Sequence, residues 1–429
     1  MFQTHIFSSG LRLLTIPVKE VQTVSVLVLV RVGSRYETEK TNGLAHFCEH
    51  IFFQGNDKWP DKLSLSTEID QIGAEFNGMT GKEYTGYFVK AENKHLNLSC
   101  EILYRMLWHS KFESAQIERE KGVIVEEINY RSDMPQIAVD DMVTEALFKG
   151  NPLGLSGAGE KEAVQKFKRK DFVNFHKDYY HRKNVFVVVA GKFEENAVFE
   201  TISKHFSQVP EGEVIKPATF YSSSRVRLDE KSSSSRQVRL GSNNNVIVKE
   251  KSTDQTHFCL GAYAFKKTSP KRYSQSILNI ILGSGMSSRL FQKIREEKSL
   301  AYYVGSDVES YTDTGMFTVS AGVNGSKLEE AVKTVIEELS LITKSGNITA
   351  KELRKTKDYL RGKLVLSLEE SLEQAMFYGL SWLLEDKIRS VEEIIAQVEK
   401  VTEEEVTAVA RDLFKRENFK LGVVGKDVL

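Results

Sequence analysis

The chain has 429 residues, more than one ordinary hydrophobic core holds, and this length predicts two domains of about 200 residues each. Its 59 Lys and Arg balance its 59 Asp and Glu, which argues against a protein that binds nucleic acid or a polybasic protein of membrane surfaces. The three cysteines, Cys48, Cys100 and Cys259, are odd in number and scattered, so they indicate neither a disulfide framework nor a thiolate zinc site.

The first residues show no targeting segment. Residues 1–5 lack a basic head followed by an apolar run, so we do not expect a cleaved signal peptide. The apolar run at residues 24–30 is far shorter than the roughly 20 residues that span a bilayer. We therefore expect a soluble, cytoplasmic protein without a membrane partner, in which this run is a buried strand.

Two strands are predicted at the start of the chain, at residues 10–16 and 24–32, because both segments are rich in β-branched residues. A charged loop at residues 35–42 separates the second strand from a segment with helical periodicity at residues 43–55.

The helical segment contains the sequence His-Phe-Cys-Glu-His at residues 46–50. In a helix, one continuous apolar face would consist of Leu44, Phe47, Cys48, Ile51 and Phe52. The opposite side would carry His46, Glu49, His50 and Phe53. Two imidazoles one turn apart can hold one metal ion, and the carboxylate between them can act on a water molecule there, which is the geometry of a zinc hydrolase. The alternative is that these residues share an exposed helix face without a metal.

The next elements alternate between strands and helices. The pattern predicts a strand pair at 73–81 and 84–89, helices at 96–107, 114–130 and 170–180, and a strand at 184–191.

The periodicity of the helix at residues 114–130 predicts the orientation of three of its acidic residues, Glu120, Glu126 and Glu127. At 100° per residue, Glu120 and Glu127 border the apolar face that contains Ile124, whereas Glu126 points to the opposite side and should be solvated. A carboxylate at the edge of a buried face needs a partner. That partner is either a metal ion or a neighbouring Lys or Arg.

The second half of the chain resembles a copy of the first. Residues 184–191 and 418–425 are similar and lie 234 residues apart, and the helices entered at Ile117 and Leu353 lie 236 apart, which indicates an internal duplication. We predict an N-terminal domain at residues 1–212, a Ser- and Asn-rich linker at 213–245, and a duplicated domain at 246–429 without a metal motif. An ungapped offset of 234 places Ile280, Gly283 and Ser284 over the motif residues at 46, 49 and 50.

The duplicated domain has a dense stretch of its own. Gly283-Ser284-Gly285 is a weak signal whose commonest meaning is a helix C-cap, and neither a Walker lysine nor a dinucleotide fingerprint accompanies it. We therefore predict no nucleotide site there. Arg295 and Tyr302 follow, seven residues apart; each alone is as compatible with a surface ion pair or a core tyrosine as with a functional role.

The H-x-x-E-H order at residues 46–50 is the inverzincin signature. With the segment at 120–127, and with Arg295 followed by Tyr302, it resembles the pitrilysin/insulinase family of zinc metallopeptidases over essentially the whole chain. The likeness is to the bacterial and mitochondrial processing peptidase-like members of about this size. It implies an α+β fold of two duplicated domains, each an antiparallel-rich sheet packed with helices, that together form half of a dimeric clamshell.

The resemblance assigns roles to individual residues. His46, His50 and Glu127 would hold one Zn²⁺ per chain, Glu49 would be the general base, and Glu120 would support the ligands. The edge strand on which the family adds the substrate backbone would comprise Asn77, Gly78, Met79 and Thr80. An aromatic residue is common where Met79 stands, which leaves the side-chain preference open. Arg295 and Tyr302 would bind the substrate carbonyl and stabilise the oxyanion.

The implied function is that of a zinc metalloendopeptidase that hydrolyses short or unfolded peptides in a closed chamber. Because the chain carries one metal half and one Arg/Tyr half, the resemblance implies a homodimer whose active sites are completed in trans. The alternative is a non-catalytic peptide-binding or assembly subunit of a hetero-oligomeric peptidase, since the family includes members that have lost the metal.

Overall fold

The computed structural model describes residues 2–220 and 245–426, which form two compact units. For the residues described, unit 1 combines Met1–Asn129, Leu155–Ala218 and Val365–Arg389. Unit 2, again for the described residues alone, combines Tyr130–Gly154, Thr219–Leu364 and Ser390–Leu429. No helix within these described ranges is long and apolar enough to cross a membrane.

Strands and helices occur in short runs along the chain. The strands are β1 (Gln3–Ile6), β2 (Arg12–Pro17), β3 (Thr23–Val30), β4 (Glu75–Thr80), β5 (Thr85–Glu92), β6 (Val185–Gly191), β7 (Val246–Glu250), β8 (Thr256–Ala264), β9 (Ala301–Ser310), β10 (Gly315–Val323) and β11 (Lys420–Gly425). The helices are α1 (Leu44–Phe52), α2 (Lys62–Gln71), α3 (Leu96–Trp108), α4 (Ser114–Asp133), α5 (Pro135–Leu147), α6 (Lys161–Lys166), α7 (Arg169–Tyr179), α8 (Glu195–Phe206), α9 (Arg272–Gly283), α10 (Leu328–Leu341), α11 (Ala350–Ser367), α12 (Ser371–Glu385), α13 (Val391–Lys400) and α14 (Glu403–Leu413).

These elements match the predicted ones closely. The predicted strands, the strand pair and the four helices predicted for the first half are confirmed, each within a few residues of the predicted bounds, whereas α2, α5, α6 and α8 were not predicted. Strand β1 was not predicted, because all four of its residues are exposed and show no alternation.

Unit 1 contains a six-stranded sheet in the order β1-β2-β6-β3-β5-β4. Its central strands β3 and β6 consist almost entirely of apolar residues because both faces of the sheet are covered. One face packs on the main core, to which α1, α3 and α7 contribute, and the other packs on α12. Only the β2/β6 pair is parallel, so the sheet is antiparallel-rich, as predicted.

Unit 2 repeats this topology without the first strand, in the order β7-β11-β8-β10-β9. The parallel pair is again at the same place, between β7 and β11. The ladders also match residue by residue: the row Val187–Val28–Tyr87–Gly78 in unit 1 corresponds to Leu421–Leu260–Val319–Ser306 in unit 2. The predicted internal duplication and α+β fold are therefore confirmed in the structure.

The two spatial units are not contiguous in sequence, because one helix of each sequence repeat packs in the other unit. Helix α5 packs on β8 and β11 of unit 2, and α12 packs on β3 and β6 of unit 1. The boundaries predicted at residues 212 and 246 therefore follow the repeat in the sequence, whereas each unit takes one helix from the other repeat. Most of the linker predicted at 213–245, namely residues 221–244, lies outside the described residues, so this segment stays a prediction.

A buried lysine occupies the same position in both units. Lys121 donates to the carbonyl of Gln165 in the last turn of α6 (3.0 Å), and Lys357, 236 residues later, donates to the carbonyl of Glu399 in the last turn of α13 (2.7 Å). Carbonyls at the end of a helix have no partner within it, so each ammonium group satisfies one of them.

We expect Lys121→Met and Lys357→Met each to lower the free energy of unfolding by about 1.5–3 kcal/mol, because both substitutions keep the apolar stem but leave a helix-terminal carbonyl without its charged donor. Urea denaturation followed by circular dichroism measures this loss. The matched control is Lys351→Met, at an exposed position of α11. Equal stability of the three variants would contradict the assignment.

Candidate metal centre

Helix α1 presents two different faces, as its sequence predicts. The residues that pack into the core, each no more than 3% exposed, are Leu44, Ala45, Phe47, Cys48, Ile51 and Phe52. His46, Glu49 and His50 lie on the other side and are half-buried. The packing of the apolar face thus directs both imidazoles and the carboxylate between them away from the core.

The two histidines converge on one carboxylate oxygen of α4. Nε2 of His46 and Nε2 of His50 each lie 3.5 Å from Oε2 of Glu127. The three candidate ligand atoms lie within 4.8 Å of one another. In a tetrahedral zinc site with bonds of about 2.0–2.1 Å, ligand atoms lie about 3.3–3.4 Å apart. The spacing and the donor types therefore fit a zinc ion.

The two adjacent acidic residues of α4, Glu126 and Glu127, point in different directions, as the helical period predicts. Glu127 is half-buried and points to the two imidazoles, whereas Glu126 is exposed and accepts a hydrogen bond from the side-chain amide of Asn129 at 3.4 Å. The partner of the carboxylate at the edge of the buried face is thus the histidine pair of α1.

Glu120 holds the far side of His50. Its Oε1 lies 2.9 Å from Nδ1 of His50, and its Oε2 accepts a hydrogen bond from the side-chain amide of Gln54 at 3.1 Å. This contact leaves Nε2 of His50 directed to Glu127, which is how an outer carboxylate orients an imidazole ligand. The motif did not predict a role for Gln54, although Gln54 lies one helical turn beyond His50.

The carboxylates also determine the charge of His50. Burial by itself lowers the pKa of His50, but the hydrogen bonds and charges of Glu120 and Glu127 outweigh it and raise this pKa to about 9. Without a metal, the imidazolium form therefore balances the negative charge of the site. A metal ion must displace that proton, since only neutral imidazole is a ligand.

Glu49 faces the edge strand β4. The hydroxyl of Thr80 donates a hydrogen bond to Oε2 of Glu49, and burial raises the pKa of the Glu49 carboxyl. Opposite lies Gly78, where a Cβ atom would come within 2.6 Å of Cγ of Glu49. Glycine at position 78 is therefore what allows the helix and the strand to approach so closely.

The predicted substrate-binding residues all lie on β4. Among the described residues, this strand pairs only with β5, and its other edge borders no strand. The residues concerned are Asn77, Gly78, Met79 and Thr80. Two of them, Gly78 and Thr80, contact Glu49, so this stretch is placed beside the candidate base.

A cavity of about 320 Å³ adjoins Glu49 and His50. Its apolar wall consists of Phe53, Leu65 and Phe76, and its other lining residues are Gln54, Lys62, Ser66, Asn77 and Glu120. The cavity thus offers an apolar surface close to the candidate metal ligands.

Arg295 and Tyr302 belong to unit 2, and both are accessible. Arg295 lies on the π-helical segment Phe291–Glu297, where its guanidinium carbon is 4.8 Å from the centre of the Phe291 ring, and its side chain is 44% exposed. Tyr302 lies on the edge strand β9 and is 75% exposed. Their predicted role in binding substrate stays a prediction.

The duplicate of α1 lacks every one of these groups. Helix α9 ends at Gly283, with Ser284 as its C-cap and Gly285 at a φ of +95°, so the Gly-Ser-Gly loop is a helix end, as predicted. Gly283 stands where Glu49 stands in unit 1 and packs directly on the backbone and side chain of Ser306, the counterpart of Gly78. Gly283 and Ser284 thus stand at the positions of Glu49 and His50.

In this duplicated α+β fold, an H-x-x-E-H helix supplies two candidate histidine ligands and the candidate base, and a second helix supplies a candidate glutamate ligand. This combination defines the class of inverzincin metallopeptidases. Comparison with known proteins identifies the family. The family model described as insulinase (peptidase family M16) matches residues 12–161, and the model described as the peptidase M16 inactive domain matches residues 166–360. The chain therefore belongs to the insulinase family, peptidase family M16, which confirms the family resemblance.

Individual relatives extend over nearly the whole chain. The uncharacterized zinc protease YmxG of Bacillus subtilis is 31% identical over 424 residues, which cover 99% of this chain and 98% of that protein. An uncharacterized zinc protease of Streptomyces coelicolor is 32% identical over 416 residues, with coverage of 97% and 88%.

Solved structures share the fold. A protease from Helicobacter pylori superposes with a TM-score of 0.86 at 23% identity and covers 99% of both chains. The peptidase M16 inactive domain from Pseudomonas fluorescens gives a TM-score of 0.88 at 16% identity, with coverage of 100% of this chain and 98% of that one. These two likenesses concern the fold alone.

We expect Glu127→Gln to weaken zinc binding at least tenfold, because an amide is a poorer ligand than a carboxylate and brings no charge. The neighbouring Glu126→Gln is the matched control and should bind zinc as the unaltered protein does, since Glu126 is exposed. Zinc content after dialysis against a limiting chelator measures both. Equal zinc loss in the two variants would exclude Glu127 as the specific ligand.

Proposed function

We propose that this chain is a zinc-dependent endopeptidase that hydrolyses short or unfolded peptides, with Glu49 as the general base. The observation that carries the proposal is the position of Glu49. It lies on α1 between His46 and His50, and its carboxylate rests against β4 beside Gly78 and Thr80. A base at this point stands between a candidate metal site and a strand edge that can bind a peptide backbone.

The candidate site residues have different roles in the proposed reaction. A zinc ion held by His46, His50 and Glu127 would supply Lewis acidity at the scissile carbonyl. Glu49 takes a proton from the attacking water molecule and returns it to the leaving amine. Thr80 donates to Glu49 and so keeps the carboxylate aimed at the edge of β4.

The strand edge and the cavity support a class of substrate for this proposal. A peptide that adds to β4 must be extended, which short or unfolded peptides can be and compact proteins cannot. A side chain of that peptide can enter the cavity lined by Phe53, Leu65 and Phe76, which favours an apolar residue. The substrate is therefore an extended peptide with an apolar side chain next to the cleaved bond.

We extend the proposal to a homodimer that encloses the substrate in a chamber. The side chains of Arg295 and Tyr302 support the proposed dimer because both are exposed. A guanidinium and a phenol can also stabilise an oxyanion. In the proposed dimer, these two residues of one protomer complete the zinc site of its partner.

We expect Glu49→Gln to keep its zinc and to lose at least 99% of its peptidase activity, because the amide cannot accept the proton. Zinc content and cleavage of a mixed library of quenched fluorescent peptides are measured on the same sample. Near-normal turnover in this variant would overturn the role of Glu49. An unaltered protein that binds zinc but cleaves no peptide would instead support the non-catalytic alternative.

We expect Glu49→Gln and Arg295→Ala, each inactive alone, to regain activity when the two proteins are mixed and allowed to exchange subunits. One of the two sites in each mixed dimer would combine an intact Glu49 with an intact Arg295, so activity should reach about a quarter of the normal value. Each variant mixed with the unaltered protein is the control. Absence of any recovery after proven exchange would contradict completion in trans.

A further inference from the structure

A buried carboxylate lies beneath the start of α1, outside the metal site. Glu37 is 2% exposed, and its oxygens accept hydrogen bonds from the backbone amides of Gly43 (2.8 Å) and Ala45 (2.7 Å). Amides in the first turn of a helix have no acceptor within the helix, so this carboxylate satisfies two of them. His46 follows Ala45 directly, so the contact ends one residue before a candidate ligand.

Asn42 connects the same carboxylate to a distant part of the chain. Its side-chain amide donates to Glu37 (3.1 Å) and to the carbonyl of Ser156 (2.8 Å). Beside it, Gly43 and Gly159 pack backbone to backbone, since a Cβ on Gly43 would come within 2.7 Å of the Gly159 Cα atom. The start of α1 is therefore clamped between two loops of unit 1.

This packing explains why the cap comes from Glu37. The N-cap residue of α1 is Gly43, at a φ of +93°, which has no side chain to accept a hydrogen bond. Helices usually take Ser, Thr, Asp or Asn at this position, as α13 does with Ser390, but Gly159 fills the space that such a side chain would need. A carboxylate from outside the helix supplies the missing acceptor.

Burial of the Glu37 carboxylate costs free energy that an ordinary N-cap side chain does not cost. Burial raises the pKa of Glu37 to about 7, although the amides of Ala45 and Gly43 and the side chain of Asn42 lower it. A carboxylate so deeply buried is unfavourable unless its hydrogen bonds are complete. The buried carboxylate therefore favours an intact first turn of α1, because loss of that turn would remove two of its hydrogen-bond donors.

The two histidines of the site differ in how they are held. His50 is held from the side by Glu120 through its own ring nitrogen. His46 lies in the first turn of α1, the part of a helix that frays most readily when its amides lack acceptors. The hydrogen bonds from Gly43 and Ala45 to Glu37 stabilise that turn.

We infer that Glu37 is a positioning residue for the metal centre, which fixes His46 through the first turn of α1 while Glu120 fixes His50. The inference rests on the proposed zinc site but not on the proposed peptidase activity. It concerns a residue nine positions before the first ligand, in a loop whose carboxylate accepts hydrogen bonds from the backbone amides of Gly43 and Ala45.

The test compares zinc affinities by chelator competition in folded proteins. We expect Glu37→Gln, which has the same size but places an amide donor against one backbone amide, to weaken zinc binding at least tenfold. Asn42→Ala should also weaken zinc binding. Because this variant keeps the Glu37 carboxylate, it provides a second test if Glu37→Gln folds poorly. Ser390→Ala removes a comparable cap from α13 in unit 2 and should leave zinc affinity within twofold of normal.

A double-mutant cycle separates positioning from general destabilisation. If Glu37 acts through His46, Glu37→Gln has no further effect in a His46→Ala background but still weakens zinc binding in a His50→Ala background. Normal zinc affinity of both Glu37→Gln and Asn42→Ala, or an equal loss in both histidine backgrounds, would overturn the inference. Failure of the unaltered protein to bind zinc would overturn the proposed zinc site and this inference with it, whereas zinc binding without peptide cleavage would overturn only the proposed peptidase activity.

Discussion

The burial of one face of α1 is the constraint on which the candidate site depends. Phe47, Cys48 and Phe52 are fully buried, and exposing a side chain of the size of Phe or Leu costs about 1.5–3 kcal/mol. The helix therefore cannot rotate, and the residues between the apolar positions must point toward β4 and α4. The geometry of His46 and His50 is thus a consequence of core packing.

Electrostatics adds a second constraint around the same helix. The chain has no net formal charge, yet Glu49 of α1 lies close to Glu120 and Glu127 of α4 at the metal site, and Glu37 is buried at the start of the helix. Each has donors of its own, but together they leave negative charge in a half-buried space. A protonated His50 meets this need in the metal-free protein, and a divalent cation would meet it better.

The duplicated unit shows that the fold does not require the metal centre. In unit 2 the glycine at the contact between helix and edge strand lies on the helix instead of the strand: Gly283 replaces Glu49, and Ser306 replaces Gly78. One partner must be small in either case, because the two backbones approach closely. At the offset of 236 residues, Lys363 stands where Glu127 stands, so the ligand set is lost while the packing is kept.

Local periodicity determined much of this protein from its sequence alone. The helical period separated the two faces of α1 and chose Glu127 over Glu126, because burial in a helix follows a repeat that neighbouring residues reveal. The constant offset likewise revealed the duplication. The roles of Glu37 and Gln54, the need for Gly78, and the exchange of α5 and α12 between the units were decided only by the tertiary structure. They depend on contacts between segments that are distant along the chain or lie in loops without a period, and no local pattern records such contacts.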